Sequence, residues 1–226
     1  MPFGAAAKSA CSNTPVKILV VPTGVARQKG VPRGLAGLMH PFHFNKLDEI
    51  EAIVAEHGER LAAIVMEPVR STEPEPAFIK GIRALADRCS AALIFDEVTS
   101  GFRINSGGAH LAYGVDPDIA VFAKAIANVF PMAAIVGRAP VMDAAQETFF
   151  SSTAWTERVG PVAALATNRE QNGAKHLMRI GTRIQKGWTE ASQATGLPLA
   201  HQGNRQTDPD WPDRDCANTR RRLVDL

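Results

Sequence analysis

Two residues of opposite charge each follow a short apolar run of the kind that forms buried β-strands. The run 93–95 leads into Asp96, and the run 119–123 leads into Lys124. A carboxylate at the end of a buried strand is costly to desolvate unless a cation or a proton donor meets it. Ligands of open α/β sheets bind at the carboxyl ends of the strands. Asp96 and Lys124 are therefore candidate site residues.

A strand-end lysine and a strand-end acid together suggest a specific chemistry. A lysine amine in a desolvated pocket can form a Schiff base with an aldehyde. Pyridoxal 5'-phosphate needs such a lysine, and it needs an acid that keeps its pyridine nitrogen protonated. Val98, two residues after Asp96, is expected to project to the same side and to pack on the ring. The polar cluster Ser151-Ser152-Thr153 is a candidate source of hydroxyl groups for the phosphate.

The stretch 93–97 also allows a different interpretation, and it leaves the role of one of its residues open. The run 93–97 also fits the acidic strand of a P-loop nucleotide hydrolase. Such enzymes need the pattern Gly-x-x-x-x-Gly-Lys-Ser/Thr, which the sequence lacks, so this interpretation is not supported. For Glu97, which follows Asp96, a structural and a functional role are equally compatible with the sequence.

The composition narrows the class of protein. The chain has 226 residues, of which 45% are hydrophobic and 21% charged, and this balance is typical of a globular protein. The net charge of +2 is too small to indicate a nucleic-acid partner. The three cysteines are widely spaced, which indicates neither a disulfide framework nor a zinc site. The apolar runs are too short to span a membrane, and the first fifteen residues lack the long apolar core of a signal peptide, so we expect a cytoplasmic location.

Strands and helices are predicted to alternate through most of the chain. The predicted strands are 16–21, 61–66, 92–95, 119–123 and 132–136. The predicted helices are 45–58, one from Pro76 onward, 139–147 and 157–195. This order indicates an α/β fold with a mostly parallel sheet. Residues 1–44 are predicted to be largely irregular, with a loop at 30–41, followed by one domain at 45–199 and an irregular tail at 200–226. Asn45 is predicted to cap the first helix.

Several ordered motifs match a known family. They are Met66-Glu67-Pro68-Val69, the stretch 92–103 around Asp96, Gly114-Val115-Asp116-Pro117-Asp118-Ile119, Ala123-Lys124-Ala125, Pro131-Met132-Ala133-Ala134 and Ser152-Thr153. With these motifs the chain resembles the class III pyridoxal-phosphate-dependent aminotransferases, in the branch that contains glutamate-1-semialdehyde aminomutase.

The resemblance implies a fold and a set of roles. The fold would be the three-layer sandwich of the fold type I transferase large domain. Lys124 would carry the Schiff base, Asp96 would pair with the pyridine nitrogen and Val98 would pack on the ring. Thr153 would bind the phosphate, in this family usually that of the neighbouring subunit of a homodimer. Glu67 would line the site and contact the substrate or a basic group.

The resemblance also bears on the extent and activity of the chain. Members of the family are longer, so we expect a fragment of the central large domain that is incomplete at both ends. The expected function is transfer of an amino group between small molecules, of aminotransferase or 2,1-aminomutase type, with impaired activity. The alternative is a catalytically inactive remnant that acts at most as an interaction partner. The substrate is not specified by the sequence.

Overall fold

The computed structural model describes residues 18–22, 37–69, 72–127, 129–149, 157–170 and 172–197. The strands are β1 (Ile18–Pro22), β2 (Met39–Phe42), β3 (Leu61–Met66), β4 (Ala92–Asp96), β5 (Ile119–Phe122) and β6 (Ala134–Gly137). The α-helices are α1 (Leu47–His57), α2 (Pro76–Arg88), α3 (His110–Tyr113), α4 (Ala139–Met142), α5 (Val159–Leu165) and α6 (Gly173–Thr195). Short 3-10 helices occupy Gly58–Arg60, Lys124–Ile126 and Asp143–Glu147, and a π-helix occupies Ala166–Glu170.

All six strands form one sheet in the order β2-β1-β3-β4-β5-β6. Every neighbouring pair is parallel except β5 and β6, which are antiparallel. The helix α2 connects β3 to β4, which pair in parallel, as the predicted strand–helix–strand order requires. The predicted α/β class and the mostly parallel sheet are confirmed.

The main core lies between one face of the sheet and the helices α1 and α2. The central strands contribute Ile64, Leu93 and Phe95, which are all fully buried. Because successive side chains of a strand point to opposite faces, Leu93 and Phe95 share the face that α2 covers. The helix α2 presents its apolar side to this face, burying Phe78, Ile79, Ile82, Leu85 and Ala86. Gly81 lets α1 come close, since a Cβ there would collide with the Leu47 side chain.

The expectation that residues 1–44 are irregular is wrong for the part that the structure describes. This segment contains β1, close to the predicted strand, and also β2, which lies partly in the predicted loop 30–41. Four residues of β2 pair in parallel with β1, from Leu19 with Met39 to Pro22 with Phe42. The proline that suggested a loop, Pro41, is tolerated because β2 is an edge strand.

Asn45 does not cap α1, which corrects a second expectation. The residue before α1 is Lys46, and no side chain caps the helix. Asn45 adopts a left-handed backbone with φ +62°. Its side-chain amide donates to the Glu73 carbonyl at 3.1 Å, and its side-chain oxygen accepts from the Glu75 N–H at 3.0 Å. Asn45 therefore ties the start of α1 to the loop that precedes α2.

The last third of the chain differs from the prediction in detail. The predicted continuous helix 157–195 is divided into α5, the π-helix and α6, with Asn172 in a left-handed conformation before α6. The predicted tail 200–226 lies outside the described residues, and the domain bounds 45–199 stay a prediction. Among the helices that the structure describes, none has the length and apolar character needed to cross a membrane.

Candidate functional site

Three charged residues follow the ends of three neighbouring strands. Glu67 comes directly after β3, Asp96 ends β4, and Lys124 comes two residues after β5. The strands pair in parallel, with Met66 opposite Phe95 and Asp96 opposite Val121. Their carboxyl ends therefore lie at one edge of the sheet, where ligands of such sheets bind.

The Asp96 carboxylate is half-buried and shapes the turn that follows β4. Its Oδ1 accepts a hydrogen bond from the Val98 N–H at 3.0 Å. Among the described residues this is the only hydrogen bond that the Asp96 side chain makes. One carboxylate oxygen thus holds the turn, and the other remains available to a ligand.

Lys124 begins a one-turn 3-10 helix and has a left-handed backbone with φ +53°. Its side chain is exposed, and its Nζ donates to the Thr99 Oγ1 at 2.9 Å. Within the described part of the chain no carboxylate forms an ion pair with this amine. Since Thr99 lies in the turn after β4, the amine of Lys124 is connected to the turn that Asp96 shapes.

Asn168 holds the Lys124 turn through a backbone carbonyl. Its side-chain amide donates to the Ile126 carbonyl at 2.8 Å, and the residue is only 8% exposed. Asn168 lies in the π-helix Ala166–Glu170, an element that often occurs at functional sites. Neither Thr99 nor Asn168 was identified from the sequence, because lone hydroxyl and amide residues carry no spacing signal.

Glu97 has a structural role in the described site. Its carboxylate is 0% exposed and accepts bonds from the Ser100 hydroxyl, from the backbone N–H groups of Ala109 and His110, and from the His110 ring. Burial raises the pKa of Glu97, but these hydrogen bonds outweigh it and hold the pKa below its ordinary value. Glu97 thereby anchors the loop 100–110 to the end of β4.

Asp118 pins the opposite ends of β4 and β5. Its Oδ2 accepts from the Leu93 N–H and from Arg83 Nη1, both at 2.8 Å, and its Oδ1 accepts from Arg138 Nη1 at 3.0 Å. Burial raises the pKa of Asp118, but the bonds from the Leu93 N–H and the two guanidinium groups lower it by more. The pKa of Asp118 therefore lies below its ordinary value. The backbone adds a bond from the Asp118 N–H to the Leu93 carbonyl.

These two buried carboxylates make stability depend on pH. A carboxylate whose pKa is lower in the folded chain than in the unfolded chain stabilises the fold above its unfolded pKa. This contribution is lost as pH falls from about 4.5 through the folded values. Urea denaturation at several pH values measures the free energy of unfolding. The contribution of the two carboxylates should be constant between neutral pH and about pH 5, and the free energy of unfolding should decline below about pH 5. If the free energy of unfolding of the double variant Glu97→Gln/Asp118→Asn falls equally steeply with falling pH, the two carboxylates are not the cause of the decline.

The other predicted site residues are placed only in part. Val98 is half-buried and donates its N–H to Asp96, while its predicted packing on a ring stays a prediction. Glu67 is half-buried at the strand-end edge, and its predicted contact is likewise untested. Ser151, Ser152 and Thr153 lie outside the described residues.

The family model described as "Aminotransferase class-III" matches residues 6–188, which is well over half of the chain. The chain belongs to this family. The match takes in most of the N-terminal segment that the sequence motifs did not reach. Membership supports amino transfer that depends on pyridoxal phosphate as the general chemistry of the family, and it indicates pyridoxal phosphate as the cofactor.

Curated relatives of two kinds match the chain. The glutamate-1-semialdehyde 2,1-aminomutase of Syntrophobacter fumaroxidans is 34% identical over 187 residues, covering 78% of this chain and 43% of the relative. The 3-aminobutyryl-CoA aminotransferase of Cloacimonas acidaminovorans is 37% identical over 145 residues, covering 61% of this chain and 35% of the relative. The chain thus spans less than half the length of either relative.

Solved structures show the same fold. The FumI protein of Sphingopyxis sp. MTA144, in its PLP internal aldimine form, has a TM-score of 0.76 at 23% identity, with 83% of this chain and 50% of that chain covered. An omega-transaminase from Sphaerobacter thermophilus has a TM-score of 0.70 at 24% identity, with 82% and 52% covered. At these identities the likeness supports the fold and no finer assignment.

Proposed function

We propose that the chain carries a pyridoxal-phosphate site that moves an amino group on small molecules, with Lys124 as the covalent attachment point. The observation that supports this most is the placement of Asp96 and Lys124 at the ends of the neighbouring strands β4 and β5. A hydrogen bond from Lys124 to the turn after Asp96 joins the two.

The residues present fit the cofactor. The Lys124 amine is exposed in the structure, whereas the sequence predicts an amine in a desolvated pocket. Among the described residues it is paired with a hydroxyl rather than a carboxylate, so none of their ion pairs has to be broken before it meets an aldehyde. Asp96 is held by its own turn and keeps one carboxylate oxygen available. When bound, the cofactor supplies an electron sink for the bonding electrons of the carbon that loses its proton.

Each residue then has a defined task in the proposal. The Asp96 carboxylate holds a proton on the pyridine nitrogen, which keeps the ring electron-poor. The substrate's amino group would first replace the Lys124 amine on the cofactor, and the freed Lys124 Nζ would then take the proton from the amino-bearing carbon of the substrate and deliver it to the cofactor carbon to which Lys124 had been attached. Val98 packs on the ring, Thr153 holds the phosphate, and Glu67 contacts the substrate or a basic group.

The wider setting is also part of the proposal. Substrates are a small-molecule amino donor and acceptor, and both aminotransferase and 2,1-aminomutase chemistry are compatible, since the relatives named above are of both kinds. We propose a homodimer in which Thr153 serves the partner's phosphate site. A cytoplasmic location is supported by the three scattered cysteines of the sequence.

The first test is binding of pyridoxal phosphate to the purified chain. We expect addition of the cofactor to give a visible absorbance band and borohydride to fix the cofactor to Lys124, as identified by peptide mass spectrometry. Lys124→Ala should abolish both signals, because the amine that attacks the aldehyde is gone. Asp96→Asn should weaken binding, because the acid that pairs with the ring nitrogen is lost.

Lys80→Ala is the matched control. Lys80 is an exposed lysine of α2, and its removal should leave the band unchanged. Attachment spread over many lysines, or no band in the unaltered chain, would contradict the proposed site and favour the noncatalytic alternative.

A further inference from the structure

Thr99 connects the turn after β4 to the amine of Lys124. It lies three residues after Asp96, and its Oγ1 accepts from the Lys124 Nζ at 2.9 Å. Thr99 is half-buried, and a β-branched side chain has few χ1 rotamers, so its hydroxyl occupies a restricted position. The turn itself is fixed by the bond from the Val98 N–H to Asp96 and by a 2.8 Å bond from the Gly101 N–H to the Glu97 carbonyl.

We propose that Thr99 is a positioning residue for Lys124, holding its Nζ at the strand-end edge in both protonation states of the amine. This inference rests on the proposed function, because it matters only if Lys124 is the attachment point. It adds a residue whose effect passes through Lys124 and whose side chain need not touch the cofactor.

The chemistry of the hydroxyl group supports this role. A hydroxyl accepts a hydrogen bond from a protonated amine and donates one to a neutral amine, whereas a carboxylate can only accept. The Thr99 contact can therefore persist when Lys124 loses its proton and becomes a nucleophile. An ion pair would be lost at that step.

Lys124 is held at two points, its backbone turn and the tip of its side chain. Its side chain is a flexible four-carbon stem, and an exposed lysine ordinarily samples many rotamers. Asn168 fixes the turn through the Ile126 carbonyl, and Thr99 fixes the tip of the side chain. In the described residues the Thr99 hydroxyl is the only hydrogen-bond partner of this amine.

The first test compares Thr99→Val, which removes the hydroxyl but keeps the branched shape, with Thr99→Ser, which keeps the hydroxyl. The reaction followed is bond formation between the Lys124 nitrogen and the aldehyde carbon of pyridoxal phosphate, with the aldehyde oxygen leaving as water. Borohydride then supplies hydride to make the bond permanent, and mass spectrometry measures the labelled fraction at Lys124 over time. We expect attachment to slow roughly tenfold in Thr99→Val and to stay within about threefold of the unaltered rate in Thr99→Ser.

A second readout needs no cofactor. Trace labelling with acetic anhydride measures the reactivity of each lysine, since the amine displaces acetate from this small reagent wherever it is accessible. We expect Lys124 in Thr99→Val to be acetylated several-fold faster than in the unaltered chain, because its amine is released. Lys80 and Lys186, both exposed, serve as internal references and should not change. General loosening of the fold is excluded as the cause when the urea denaturation midpoint of Thr99→Val matches that of the unaltered chain.

Thr182→Val is the matched control, since Thr182 is an exposed threonine of α6 whose hydroxyl bonds the Met178 carbonyl. It should leave both readouts unchanged. The proposal is overturned if Thr99→Val matches the unaltered chain in both assays, or if Thr99→Ser is as impaired as Thr99→Val. If Thr99→Val does not fold, Thr99→Ala takes its place with the same expectations. Absence of cofactor attachment in the unaltered chain contradicts the proposed function, whereas the acetylation contrast still decides the role of Thr99.

Discussion

Replacing Glu97 with alanine is expected to lower the free energy of unfolding by about 3–5 kcal/mol, because buried donors left without an acceptor cost roughly 1–3 kcal/mol each. The variant leaves four hydrogen-bond donors without their acceptor: the Ser100 hydroxyl, the His110 ring and two backbone N–H groups. These groups are buried or nearly so, and each unsatisfied polar group carries a desolvation penalty. Folded proteins of this size are stable by about 5–15 kcal/mol, so this is a large fraction of the total.

Urea denaturation followed by circular dichroism measures the effect. Glu97→Gln retains the shape but turns one carboxylate oxygen into an amide donor, which then faces another donor, so we expect an intermediate loss. Glu51→Ala removes an exposed glutamate from α1 and should change stability by less than about 0.5 kcal/mol. Equal stability of the Glu97→Ala and Glu51→Ala variants would show that the buried network is not needed.

Replacing Asp118 with alanine is expected to cost about 3 kcal/mol, at the low end of the range for breaking a buried charged pair. The substitution removes the acceptor of the Leu93 N–H and leaves Arg83, a mostly buried guanidinium, with one carboxylate partner instead of two. The remaining bond from Arg83 to Asp87, at 2.7 Å, limits the loss. Because Asp118 pins β4 to β5, we also expect faster hydrogen exchange of the Leu93 amide.

Arg138→Ala separates the buried from the exposed half of the Asp118 network. The Arg138 side chain is 67% exposed, and its ion pair with Asp118 should contribute less than about 1 kcal/mol. The two variants are compared by urea denaturation at neutral pH, where Asp118 is ionised in both chain states. A loss for Arg138→Ala as large as that for Asp118→Ala would mean that the exposed pair, and not the buried contacts, supports the fold.

The part of the fold that could be predicted is the part with strong local patterns. The strands around Ile64 and Phe95 are short apolar runs buried in the core, and α2 carries its apolar residues at helical spacing. Positions that depend on distant partners were missed. The strand β2 contains Pro41 and pairs with β1, a partner that its own residues do not indicate. Asn45 has the residue type of a helix cap, although it bonds a loop some thirty residues away.

The candidate site shows the same division. The placement of Asp96 and Lys124 at one edge could be predicted because a charge directly after an apolar run is a local signal, and a parallel sheet brings the carboxyl ends of its strands to one edge. Their role in a site stays a prediction. The contacts of Thr99 and Asn168 join residues 25 and 42 positions apart in the chain, and nothing in their types or spacing indicates these bonds. The structural role of Glu97 likewise depends on the loop that folds back to it.

The left-handed backbone of Lys124 lowers the stability of the fold at a residue that the proposed chemistry needs. At φ +53° a lysine is strained by roughly 1–2 kcal/mol, whereas glycine or asparagine adopts this conformation readily. A design procedure that optimises this backbone for stability alone would therefore favour replacing Lys124 with glycine or asparagine. The resulting protein would be more stable, but it would lack the Lys124 amine on which the proposed site depends.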